Sequence, residues 1–276
     1  MEGLRRFARN RGAVLGAAVL LAMVVLAAFA GVAYPRDALR IVGPPELWPL
    51  EDPRFLLGTD SLGRDIASMI AHGARASLLI GTASCLAATV LGVGMGVLSG
   101  YFGGRLAQAA LFVTELFQVV PNLILVLSFV SILGSALPHI IAAIALASWT
   151  PIARLTRAEF LSWRERPFVL ACRSIGMGPL RIAFGEILPN ALPPVIVFSS
   201  LVVAGAILLE SAISFLGLGD PNRASWGRLI GEGRELIRSS WYICAIPGVA
   251  IMATVLALNL IGDGLNDALN PKLRNR

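Results

Sequence analysis

Two carboxylates, Glu115 and Glu210, sit inside long apolar stretches of this chain. An acid in such a place is costly, so it lines a polar path, binds a cation or hydrogen-bonds between helices. For Glu210, in the second half of its run, these readings stand level; Glu115, near the cytoplasmic end of its run, reads first as structural. Other chemistry has little material. His72 and His139 are the only histidines, too few for a histidine-based catalytic or metal centre. Ser61, Ser211 and Ser214 have no base beside them in sequence. Glu159 and Glu165 lie among Arg154, Arg157, Arg164 and Arg166, which favours surface ion pairs over an acid–base pair. Cys85, Cys172 and Cys244 are isolated and read as small apolar side chains, not a metal site or disulfide framework. The one lysine, Lys272, follows no glycine-rich turn, so no P-loop exists. Any ATP used in that manner binds another chain, and this one is expected to hold no cofactor.

The elements that carry these residues are apolar. Of 276 residues, 56% are hydrophobic and 14% charged, against about 25% charged in soluble domains. The composition predicts an all-α polytopic membrane protein. The net charge of +6 comes from scattered arginines with no dense run, which argues against nucleic acid and for membrane topology. Six spans are expected, at residues 13–33, 73–100, 106–133, 138–152, 192–218 and 242–261. The first follows an Arg-rich start and carries Ala28-Phe29-Ala30 near its end, as a signal peptide would. Its apolar part exceeds the ~7–15 residues of a signal, so it reads as a retained helix. Gly92, Gly96 and Gly100 at four-residue spacing predict close helix packing. Pro121-Asn122 interrupts the third span, and the fourth is short enough to continue as a helix toward Phe160. Gly262-Asp263-Gly264 reads as a helix stop.

Between the spans lie three polar regions. Residues 34–72 are proline-rich and irregular, ending in FLLGTDSLGRDIAS (55–68), where Asp65 can cap the next helix or pair with Arg64. Residues 220–241 carry Trp226 and Trp241, expected as interfacial anchors. Residues 154–190 are the most ordered in pattern: Pro167 starts a helix, Phe168, Ala171 and Ile175 form an apolar stripe, and Gly176 and Gly178 break it. With the N-terminus inside, 14 basic and 6 acidic residues fall on the cytoplasmic side, and 9 of each on the other. The excess puts the 154–190 segment and both termini in the cytoplasm. A polar helix there can hand force to a soluble partner, or rest on headgroups as an amphipathic helix.

The motifs, taken together, resemble the permease subunits of bacterial ABC importers of the dipeptide/oligopeptide/nickel family (the DppC/OppC type). They include FLLGTDSLGRDIAS (55–68), GARASLLIG (73–81), GYFGG (100–104), SFLGLG (214–219), SWG (225–227), LNLIGDGLNDALNP (258–271) and the loop PFVLACRSIGMGPLRIAFGEILPN (167–190), in order over nearly the whole chain. The resemblance implies a type I importer permease fold. It implies an N-terminal helix and outer loop (1–72) before a five-helix core (73–276) whose coupling loop is 154–190. It implies as partners a homologous permease, two ATPase subunits that hold ATP and Mg, an extracytoplasmic binding protein and membrane lipid. Pro167, Phe168, Leu170, Ala171, Arg173, Gly176 and Gly178 would contact the ATPase, and substrate would pass between the permeases in the inner membrane. The family loop opens Glu-Ala-Ala where this chain has Leu170-Ala171-Cys172, and has His where this chain has Glu186. A peptide cargo is expected, with a nickel chelate as the alternative. A secondary transporter or channel working through Glu115 or Glu210 is a further alternative of another class.

Overall fold

The computed structural model describes residues 7–269. Arg5 and Arg6, and the tail with Lys272, Arg274 and Arg276, lie outside the described residues, as does the Asn270-Pro271 end of the last motif. The described residues are helical: α1 (Arg11–Ala33), α2 (Ile66–Gly100), α3 (Gly104–Val119), α4 (Asn122–Leu133), α5 (Leu137–Trp163), α6 (Pro167–Ser174), α7 (Pro179–Phe215), α8 (Trp226–Gly233) and α9 (Tyr242–Leu269). They contain no β-strands, only the isolated bridges Ile41–Arg64 and Thr59–Asp65.

Helices α1, α2, α5, α7 and α9 are each long and apolar enough to span a bilayer; α3 and α4, bent by 90° at their break, add a sixth if the pair is one span. The proline at the break was legible in sequence; the right angle was not. The second span starts at Ile66, not at residue 73, because the Asp65 carboxylate accepts the Ala67 N–H and caps the helix before the apolar run begins. Burial pushes the Asp65 carboxyl above its ordinary value, against the pull of the N–H groups it accepts. The fourth span runs on as a helix to Trp163, through Pro151. The fifth starts at Pro179 and passes through a π-helical turn, Ile182–Ile187.

The expected stop at Gly262-Asp263-Gly264 does not stop the helix, which continues to Leu269. These glycines serve close approach: a Cβ at Gly262 would meet the Ser200 side chain, and one at Gly264 would meet Ala13 and Phe7. Asp267 accepts a hydrogen bond from Asn10 Nδ2 at 2.9 Å, tying the ends of α1 and α9.

The most extensive pairing is α2 with α5, along the predicted glycine face. A Cβ on Gly92 would lie 2.7 Å from Ile152 Cβ and the Trp149 carbonyl, and one on Gly100 would lie 2.8 Å from Phe160 Cβ. Gly94, on the other face, meets nothing within 4 Å. Gly92→Ala is therefore expected to cost about 1–3 kcal/mol by overpacking, while Gly94→Ala is neutral or gains up to ~1 kcal/mol of helix propensity. Thermal unfolding in detergent checks this; equal melting temperatures for the two variants would rule the packing account out.

Candidate functional site

The short helix α6 is fixed by its own ends and by a small core. Pro167 occupies its first turn, where a missing N–H costs nothing. Its C-terminus closes with Gly176 at φ +78°, the Gly176 N–H bonding the Arg173 carbonyl and the Met177 N–H bonding the Cys172 carbonyl, both at 3.0 Å. This is a Schellman closure, and the left-handed backbone explains the glycine. Val169 is fully buried with Phe160 of α5, Val97 of α2 and Ile182, Ala183 and Ile187 of α7, and Cys172 and Met177 pack against the same cluster. Trp163 meets Phe168 edge-on at 6.1 Å, Arg166 lies over Trp163, and Arg173 lies over Tyr101 at 5.8 Å.

The predicted stripe points the other way. Phe168, Ala171 and Ile175 are exposed, Ile175 to 77%, together with Pro167, Leu170, Arg173, Gly176 and Gly178. Leu180 and Phe184 on the next turns are also exposed. The result is an outward apolar face on a helix rigidly held between two spans. The buried anchor Val169 and the half-buried Cys172 escaped sequence reasoning, since an apolar residue on both faces of an eight-residue helix leaves the inward side undecided.

The two acids diverge. Glu115 is exposed on α3, three residues before Gln118, whose Oε1 accepts a hydrogen bond from Arg154 Nη1 at 3.5 Å. Glu210 is 1% exposed. Ser214 Oγ donates to its Oε1 at 2.7 Å, and Ser77 Oγ of α2 donates to its Oε2 at 3.2 Å. The Ser77 bond joins two spans.

On the opposite end of the bundle the two long polar loops pack together. Arg64, buried, donates to Asp60 and to Glu232 of α8, and Glu232 also accepts from Arg228 at 2.9 Å. Burial works to lower the Arg64 pKa, but the charges and hydrogen bonds of Asp60 and Glu232 outweigh it and hold the guanidinium above its ordinary value. Arg64 thus pairs with residues other than its neighbour Asp65. Trp241 is 54% exposed and meets Trp48 edge-on. Trp226 is not an anchor: it is fully buried, its Nε1 donates to the Ile70 carbonyl at 3.0 Å, and Gly73 makes room for its ring.

Residues 92–275 match the family described as binding-protein-dependent transport system inner membrane component, and residues 2–43 match the N-terminal TM domain of oligopeptide transport permease C. The di/tripeptide transport system permease protein DppC of Pseudomonas aeruginosa is 40% identical, over 99% of this chain and 92% of its own length. The dipeptide transport system permease protein DppC of Escherichia coli is 38% identical, over 97% and 91%. The glutathione transport system permease protein GsiD of Pectobacterium atrosepticum is 34% identical, over 99% and 91%. Among solved structures, the MetNI methionine ABC transporter in inward-facing conformations superposes with a TM-score of 0.62, covering 73% of this chain and 96% of that chain at 19% identity, a likeness of fold. Family and fold together set aside the secondary transporter or channel, and the chain belongs to the binding-protein-dependent inner membrane component family, as a multi-pass permease subunit with the type I ABC importer fold.

Proposed function

We propose that this permease carries di- and oligopeptides across a bacterial inner membrane by alternating access, driven by ATP hydrolysis on two separate ATPase subunits. The chain itself is non-catalytic and binds no cofactor; ATP and Mg belong to the ATPases. A homologous permease completes the path, and an extracytoplasmic binding protein delivers cargo to the face built from residues 34–65 and 216–241. Both termini are cytoplasmic. The N-terminal helix and loop, to residue 72, form an addition to the core of residues 73–276.

The observation that carries this reading is the outward apolar face of α6, anchored to α2, α5 and α7 by Val169 yet exposing Leu170, Ala171 and Ile175. A rigid exposed apolar patch is suited to a partner surface, and a helix tied to three spans passes a partner's movement into the bundle. Leu170, in the place of the family's glutamate, makes that contact apolar. Exposed Glu115, beside the Gln118–Arg154 pair, supports a place along a hydrated path, whereas the enclosure of Glu210 supports an interhelical role. The peptide names of the relatives favour peptide over a nickel chelate.

The test is uptake into proteoliposomes holding this chain, its partner permease and both ATPases, with the binding protein added outside. ATP-dependent accumulation of labelled dipeptide is expected. Accumulation of nickel without dipeptide would replace the cargo, and failure of the ATPases to co-purify would remove the coupling role.

A further inference from the structure

Two cavities meet beside α1. The first is an apolar groove of about 430 Å³, lined by Leu20, Val24 and Ala28 of α1, Leu79 of α2, Val203 of α7 and Leu258 of α9. Thr82 also lines it, but its hydroxyl bonds back to the Leu78 and Leu79 carbonyls at 2.7 and 3.2 Å and offers the groove no free donor. The second is a polar pocket of about 480 Å³, lined by Asp37, His72, Asn222 and Arg223 among others. Arg75 and Leu79 line both. Together the cavities form one slot, apolar at one end and charged at the other.

The length of α1 sets where this slot stands in a bilayer. Its 23 residues measure about 34 Å, close to a hydrocarbon core ~30 Å thick, and none after Arg11 is charged. Leu20, Val24 and Ala28 are interior to α1, so the groove lies at the level of the acyl chains. Leu21, Val25 and Phe29 beside them are exposed, an apolar surface suited to lipid. Asp37 follows the end of α1 by four residues, and Asn222 and Arg223 belong to the polar loop before α8, so the pocket lies at the level of the headgroups. Arg75 stands between the two levels. It is exposed, and no acid among the described residues pairs with it. The groups around it are engaged elsewhere. Asp37 Oδ1 accepts the Leu39 N–H at 3.0 Å, Asp220 faces Arg223 at 3.5 Å, and His72 Nε2 donates to the Tyr34 carbonyl at 3.1 Å. Arg36 and Arg40 flank Asp37 and line the adjoining pocket with it, which keeps the mouth positive. A guanidinium within a span needs an anion or a way to water. Its fork of donors matches phosphate oxygens two at a time, and basic pockets between spans recognise lipid headgroups.

We infer that this slot binds a phospholipid with an anionic headgroup, its phosphate on Arg75 and one acyl chain in the groove between α1 and the bundle. The order of the slot, apolar and then positive along the span, is the order of the lipid. A free phosphate would use the mouth alone and leave the groove empty. The chain so placed packs against α1, α2, α7 and α9 at once, so the lipid adds to the contacts that hold α1 to the other spans. The inference is independent of the cargo.

The test uses the full-length chain purified in detergent, with phosphatidylglycerol, phosphatidylcholine or inorganic phosphate added. Binding is read as a rise in melting temperature and as lipid retained in native mass spectrometry. Phosphatidylglycerol is expected to bind more tightly than phosphatidylcholine, and phosphate alone to give no shift. Arg75→Gln is expected to weaken phosphatidylglycerol binding about tenfold by loss of charge-assisted hydrogen bonds, and to leave phosphatidylcholine unchanged. Ala28 is exposed in the groove, so Ala28→Phe fills it at little cost to folding and is expected to weaken both lipids about tenfold by a clash with the chain. Equal binding of the two lipids by the unsubstituted protein overturns the inference, and that comparison needs no variant. So does an undiminished preference for phosphatidylglycerol in Arg75→Gln. Phosphatidylglycerol binding indifferent to Ala28→Phe, or matched by phosphate alone, reduces the slot to an anion contact and overturns the lipid.

Discussion

Ile175→Asp is expected to reduce ATP-driven uptake at least about tenfold and to strip the ATPases from the purified complex, while the permease itself remains folded. Ile175 is 77% exposed and follows the last turn of α6, so its side chain supports little of this chain's own packing. Exposed substitutions away from special features stay within about ±0.5 kcal/mol of stability. At a docked surface the arithmetic differs. Loss of one buried apolar side chain removes about 1.5–3 kcal/mol, and a tenfold loss of affinity needs only about 1.4 kcal/mol. The aspartate adds an unpaired charge at the contact, which adds to the loss. Gly176→Arg blocks the same surface, but it also strains a residue at φ +78°, so its failure mixes docking with folding. Ile175→Asp separates them. If α6 instead rests on lipid headgroups, the variant keeps its ATPases and its uptake, and co-purification distinguishes the two outcomes directly.

What was legible in the sequence here is what short-range physics determines. The apolar runs are long enough to demand lipid, Pro167 and Gly176 bound a helix wherever it packs, and a four-residue glycine spacing forces one face together. The inward side of α6 was not legible, because Val169 and Ile175 are equally apolar and only the pocket between α2, α5 and α7 decides which is buried. The same holds for Gly262 and Gly264. Glycine next to aspartate favours a helix end locally, but contact with Ser200, Ala13 and Phe7 selects glycine for room within a continuing helix. Trp226 was misread for a related reason: an indole beside a polar loop suits an interface unless a glycine such as Gly73 opens a slot for it. Glu210 could be weighed but not decided, since Ser77 is 133 residues away.

The longest-range feature gives the largest stability effect. Arg64 and Glu232 are 168 residues apart and join the two long polar loops. Arg64→Met is expected to destabilise the protein by about 3–5 kcal/mol, because it leaves the Asp60 carboxylate buried without its cation. Glu232 suffers less, since it is partly exposed and keeps Arg228. The double variant Asp60→Asn with Arg64→Met is expected to recover a large part of the loss. Asp60 uses Oδ1 for the backbone N–H groups of Leu62 at 2.9 Å and of residue 64 at 2.8 Å, and Oδ2 for the guanidinium. An asparagine keeps the first oxygen and replaces the second with an uncharged amide, so the turn survives while the orphan charge disappears. Thermal unfolding of the two variants beside the unsubstituted protein in detergent measures this. A double variant no more stable than Arg64→Met would mean that the loss came from the missing link to Glu232, and that the joined polar loops, not the buried aspartate, set the cost.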